Sequence, residues 1–110
     1  LCHGSPPDED RYIYPDAKAE MFDFAEIEAD YVLLGHTHYP MIRCSKFFCV
    51  VNPGSVGQAR ERGGYADWCI INTGNDVITM QQTRYDIAPV LSECRQYDPD
   101  LIYLQDVLRR

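Results

Sequence analysis

The apolar run Tyr31-Val32-Leu33-Leu34, which stops abruptly on Gly35-His36-Thr37-His38, constrains this chain more than any other stretch. A run this short and wholly apolar suits a strand covered on both faces, as in α/β proteins. Upstream, Leu1-Cys2-His3-Gly4 reads as the end of another strand. Pro15 and Asp16 suit a helix start, because proline loses no needed donor there and an acid favours the positive helix end. Ala17, Met21, Phe24 and Ala25 follow at i, i+4, i+7 and i+8, which predicts an apolar stripe on a helix from about 15 to 29. Asp16, Glu20, Asp23 and Glu26 fall on its solvated face. Strand, helix and strand in this order predict a right-handed βαβ unit.

Beyond that unit the pattern predicts two short strands, Met41–Cys44 and Phe47–Val51, close enough to form a hairpin. Asn52-Pro53-Gly54-Ser55 then reads as a tight turn. Tyr65–Asn72 and Val77–Tyr85 read as strands joined through Thr73-Gly74-Asn75-Asp76. A helix over Ala88–Gln96 follows, and an amphipathic helix over 99–109 closes the chain, with Asp98 as its cap and Pro99 at its first position. Leu101, Leu104 and Leu108 share one face of that helix, joined by Val107.

A length of 110 residues suits one small domain with a modest core. Charged residues make up 25% against 45% hydrophobic, a globular balance and not a disordered one. No apolar run approaches a membrane span, and no secretory signal is visible. The net charge of −7 argues against bulk capture of nucleic acid, although metal ions in a site would reverse the local field. The cysteines at 2, 44, 49, 69 and 94 are odd in number and include no CxxC pair. They point away from a disulfide framework and toward a reducing compartment, the cytoplasm. A zinc cluster on Cys44 and Cys49 is the minor alternative to buried core thiols.

The chain has three histidines, His3, His36 and His38, and each follows a strand end. Ligand sites in open α/β sheets form beyond the carboxyl ends of strands. Neutral imidazole is a common ligand for zinc, manganese and iron. If the segment stays extended, the i, i+2 spacing lets His36 and His38 leave the same side of the backbone and reach one ion or two adjacent ions. The plain alternative is a set of surface or capping histidines.

His3-Gly4-Ser5-Pro6, Gly35-His36-Thr37-His38 and Asn52-Pro53-Gly54-Ser55-Val56-Gly57 occur in that order. They resemble the last motifs of the calcineurin-like metallophosphoesterase superfamily, and most of all its small bacterial and archaeal phosphodiesterase branch. The stretch Arg62-Gly63-Gly64-Tyr65-Ala66 and the elements after it resemble that branch too, so the likeness spans essentially the whole chain. It implies the C-terminal part of a four-layer α/β/β/α sandwich, a mixed sheet with covering helices. It also implies two adjacent divalent ions (Mn, Zn, Fe or Ni), with His3 and His36 on one and His38 on its neighbour. Asn52 and Ser55 match a loop packed beside that site, with a structural role first and a substrate role second.

The family's earlier motifs, DxH, GDxxD and GNHD or GNHE, are absent from these 110 residues. They carry the bridging aspartate, further ligands and the proton-donating histidine, and three imidazoles cannot complete two metal shells. The resemblance therefore implies a fragment supplying histidine ligands, with a missing N-terminal half or partner chain supplying the rest. The complete protein would hydrolyse a phosphoester, in this branch a phosphodiester, through a two-metal-activated hydroxide. The alternative is an inactive metallophosphoesterase-like scaffold that binds proteins. A homo-oligomer is a further expectation, since an isolated segment would expose an apolar sheet face.

Overall fold

A computed structural model describes residues 1–24 and 26–110. The chain forms two compact units, Leu1–Gly54 and Ser55–Arg110. The first holds a sheet of three strands in the order β1-β3-β2: β1 is Tyr31–Leu33, β2 Met41–Cys44 and β3 Cys49–Asn52. β1 runs parallel to β3, with Val32 opposite Val50, while β2 runs antiparallel to it, with Met41 opposite Asn52. The sheet is therefore mixed. Ile13, Phe24, Val32, Leu34, Met41 and Val50 make its core. Tyr31 and Leu33 stay half-buried, so β1 is covered fully on one face only.

The opening residues lie along the free edge of β1. Cys2 N–H donates to the Leu33 carbonyl at 2.9 Å, and Gly35 N–H donates to that of His3 at 2.9 Å. This pairing answers the predicted strand end at 1–3, although those residues are not a regular strand. Burial raises the Cys2 thiol pKa above its ordinary value.

Among the described residues of 15–29 the expected helix does not form. One 3-10 turn, Ala19–Phe22, replaces it, and the predicted βαβ unit lacks its helix. Ala25, counted in the expected stripe, lies outside the described residues. The charge pattern supplies a reason: Glu26, Glu28 and Asp30 crowd the end where a helix concentrates negative potential, and Lys18 is the only cation from 15 to 30. The apolar residues reach the core anyway, Phe24 fully and Met21 and Phe22 in part.

Cys44 and Cys49, directly opposed across β2 and β3, form a disulfide. This corrects the expectation of unpaired cysteines in the core. Cys44 is exposed and Cys49 half-buried, and the hairpin register, invisible in the spacing, brings them face to face. Cys2, Cys69 and Cys94 are free and half-buried.

The second unit opens its regular structure with a long hairpin, β4 Tyr65–Asn72 and β5 Val77–Arg84, in unbroken antiparallel register from Tyr65 opposite Arg84 to Asn72 opposite Val77. The chain thus carries two sheets, where a single sheet was expected. Along β4 the period-two alternation holds: Asp67 is buried, while Trp68 and Ile70 are exposed. Two helices follow, α1 Ala88–Tyr97 and α2 Ile102–Arg109. Leu91, Val107 and Leu108 pack together with Tyr85 and Ile87 against them. Asp98 does not cap the last helix; its N–H bonds the Cys94 carbonyl at 3.0 Å and closes α1. Pro99 lies in the turn between the helices, and Leu101 is exposed, so the buried face of α2 is carried by Val107 and Leu108. No helix among the described residues is long and apolar enough to cross a membrane.

Gly63 is where this unit tolerates least change. A Cβ there would lie 2.5 Å from the Val107 carbonyl oxygen and 2.6 Å from Leu108 backbone atoms, and its N–H bonds the Arg110 carbonyl at 3.2 Å. Gly63→Ala is expected to cost about 2 kcal/mol through overpacking and to lower the melting temperature by roughly 10 °C. Thermal denaturation followed by circular dichroism checks this. A variant that melts with the wild type would mean that α2 yields at no cost.

Candidate functional site

The site sits in the first unit, at the carboxyl end of β1. The backbone pairing along β1 sets His3 beside Gly35 and so beside the histidine turn. The result is close: His36 Nδ1 and His3 Nε2 lie 2.7 Å apart, with the tautomers deciding which ring donates. The ring centroids are 4.4 Å apart at 64°. His3 is exposed and His36 half-buried.

Gly35-His36-Thr37-His38 is not extended, the condition on which a same-side placement of the two rings depended. His36 has φ 57° and His38 φ 60°, both left-handed, while Gly35 is not among the positive-φ residues. The strain therefore falls on the histidines, at a cost of about 1–2 kcal/mol for each non-glycine residue there. Such residues persist where the surroundings over-determine them, often at functional sites. Thr37 N–H closes the turn on the Gly35 carbonyl at 2.7 Å.

Asn52 over-determines it. Its side chain is fully buried at the end of β3. Nδ2 donates to the Gly35 carbonyl at 2.7 Å and to Thr37 Oγ1 at 3.1 Å, and Oδ1 accepts the Gly54 N–H at 3.0 Å. Both amide hydrogens are thus committed to the histidine turn, and the side chain is shut off from solvent. Ser55 belongs to the second unit. Its N–H donates to Asp67 Oδ2 at 3.3 Å, and its hydroxyl accepts the Gln58 N–H at 3.0 Å. In these positions both residues hold loops.

Two imidazole nitrogens, His36 Nε2 and His38 Nδ1, are buried without a hydrogen-bond partner among the described residues. Buried polar atoms are nearly always paired, so orphans of this kind call for a bound ion or a missing neighbour. The donor chemistry suits borderline divalent metals, which accept neutral imidazole. Ring nitrogens turned away from an ion ordinarily bond a carbonyl or carboxylate, and His36 Nε2 lacks that partner too. Among the described residues no three His, Cys, Asp or Glu side chains are placed to hold one ion. His3 and His36 are brought together, and no contact of His38 with that pair is seen.

Sequence reasoning left one cluster unassigned. Tyr12 covers His36, with ring centroids 3.9 Å apart, and Tyr14 and Tyr39 continue the row. Its signal is the alternation Tyr12-Ile13-Tyr14, in which Ile13 is buried and both tyrosines face out.

Residues 1–76 match the calcineurin-like phosphoesterase superfamily domain. The chain belongs to that superfamily. An uncharacterized protein of Methanocaldococcus jannaschii is 28% identical over 104 residues, covering 79% of this chain and 41% of that protein. The crystal structure of a metallophosphoesterase from Sphaerobacter thermophilus superposes with a TM-score of 0.75 at 25% identity, over 86% of this chain and 48% of that one. The crystal structure of a hypothetical protein from Pyrococcus horikoshii superposes with a TM-score of 0.76 at 20% identity, over 99% of this chain and 44% of that one. The α/β metallophosphoesterase fold expected from the motifs is therefore the fold found. The chain spans less than half the length of each of these proteins. The superfamily is one of metal-dependent phosphoesterases that use divalent ions.

Proposed function

We propose that this chain supplies the histidine side of a divalent-metal site that hydrolyses phosphoesters, in particular phosphodiesters. The observation that carries the reading is the His3–His36 pair at 2.7 Å, beside the orphaned nitrogens His36 Nε2 and His38 Nδ1. In this reading His3 and His36 hold one ion and His38 holds its neighbour. Bound ions there would polarise the phosphoryl oxygens and lower the pKa of water. The chain's own contribution is positional. The edge pairing of residues 2–3 with β1 carries His3 to His36, and Asn52 keeps the turn in its left-handed form. The three imidazoles act as ligands and not as proton donors. The carboxylates and the acid that protonates the leaving group come from residues outside these 110 or from a partner chain, in keeping with relatives of which this chain covers less than half.

The test is hydrolysis of bis(4-nitrophenyl) phosphate by the whole-length protein supplied with Mn²⁺ or Zn²⁺. Turnover should appear with metal and vanish on chelation. Hydrolysis that resists the chelator would sink the metal reading. No hydrolysis with either ion, in a protein carrying all the family's carboxylate motifs, would favour a binding scaffold.

A further inference from the structure

The tyrosines in the row beside His36 are not members of the first unit's core cluster. Tyr12 is 52% exposed and Tyr14 41%, on either side of Ile13 at 2%. Tyr12 lies 3.9 Å from the His36 ring, Tyr14 lies 6.0 Å from Tyr12 at an interplanar angle of only 14°, and Tyr39 meets Tyr14 edge-on at 5.9 Å. Three aromatic rings thus form a row of successive contacts starting at His36, two of them nearly parallel. Large rings left half in water at the rim of a site are suited to take up another flat ring, since aromatic stacking on bases contributes about 1–3 kcal/mol per base.

The charges near these segments narrow the ligand. Arg11 pairs with Asp8 at 3.8 Å, and Arg43 donates to the Pro15 and Ala17 carbonyls at 3.3 and 3.0 Å. Neither guanidinium is disposed to take a phosphate, which leaves the phosphate to the histidine site and the remainder of the ligand to the rings. The net charge of −7 disfavours a long polyanionic strand, whose binding depends on many cationic contacts. A single nucleotide unit meets both conditions. We propose that Tyr12, Tyr14 and Tyr39 form a stacking platform for the base of a nucleotide-type phosphoester whose phosphate is held at the histidine site. This rests on the metal-site reading above and adds the substrate class to it.

Calorimetric titration of the whole-length protein with Mn²⁺ present, using adenosine 5′-monophosphate and ribose 5-phosphate as probes, separates the two ideas. The nucleotide should bind about tenfold more tightly, a preference that Tyr14→Ala reduces to near one and Tyr14→Phe retains. The phenylalanine variant guards against a fold defect, because it keeps the ring and removes only the hydroxyl. Equal affinity for the two probes, or a preference that survives both Tyr12→Ala and Tyr14→Ala, overturns the platform and leaves the metal site standing. Failure of both phosphates to bind with Mn²⁺ removes the metal site and the platform with it.

Discussion

Replacing His36 by alanine is expected to reduce Mn²⁺-dependent phosphodiester hydrolysis by at least about 100-fold, the upper end of what losing a mere outer-shell partner of a metal costs. The expectation comes from its position at the junction of the site. Nδ1 faces His3 Nε2 at 2.7 Å, Nε2 is buried without a partner among the described residues, and Tyr12 lies over the ring. Two imidazole nitrogens that converge in this way are suited to share one divalent ion, and removing one of the two leaves an exposed His3 as a lone ligand. Elemental analysis of the same variant should show fewer ions retained than in the wild type. Full activity with unchanged metal content would end the assignment of His36 as a ligand. The imidazole is half-buried, so a loss of activity without a change in melting temperature would point to the metal and not to the fold.

Asn52→Asp should be the most damaging isosteric change in the first unit. The substitution keeps the volume and removes both donors, so oxygen faces the Gly35 carbonyl where an amide hydrogen now sits. Losing the buried hydrogen bond to the Gly35 carbonyl and setting an acceptor against that carbonyl costs roughly 3 kcal/mol, even if the Thr37 hydroxyl turns to donate to the new carboxylate. For a unit of this size that is a fall in melting temperature of roughly 10–20 °C. The turn carrying His36 and His38 would also relax out of its left-handed form, so Mn²⁺ affinity should fall in the fraction that remains folded. A variant that melts within a degree or two of the wild type would show that the turn holds itself without Asn52.

The local features of this protein were legible in the sequence. The hairpin strands of the second unit, the helix from Ala88, and the apolar strand that ends at the Gly-His-Thr-His segment all follow from near-neighbour periodicity and punctuation, which act over a few residues. So did the family, because its motifs are short, ordered and each tied to a strand end. The failures came where distance along the chain mattered. Residues 15–29 have helical spacing, yet acid crowding at one end and anchoring of Phe24 in the core leave only one 3-10 turn. The Cys44–Cys49 bond depends on hairpin register, and cysteine counting carries no register.

The roles within the site divide in the same way. Composition and spacing alone singled out His3, His36 and His38 as candidate ligands, since the chain offers no other imidazole. Only the tertiary structure decided that His3 and His36 meet, because residues 33 positions apart are joined by the edge pairing of residues 2–3 with β1. It also placed the backbone strain on the two histidines and gave Asn52 the task of holding them there. Hydrogen bonds between distant buried groups depend on how strands are ordered in a sheet. That order is settled by the packing of the whole unit and is written in no single stretch of sequence.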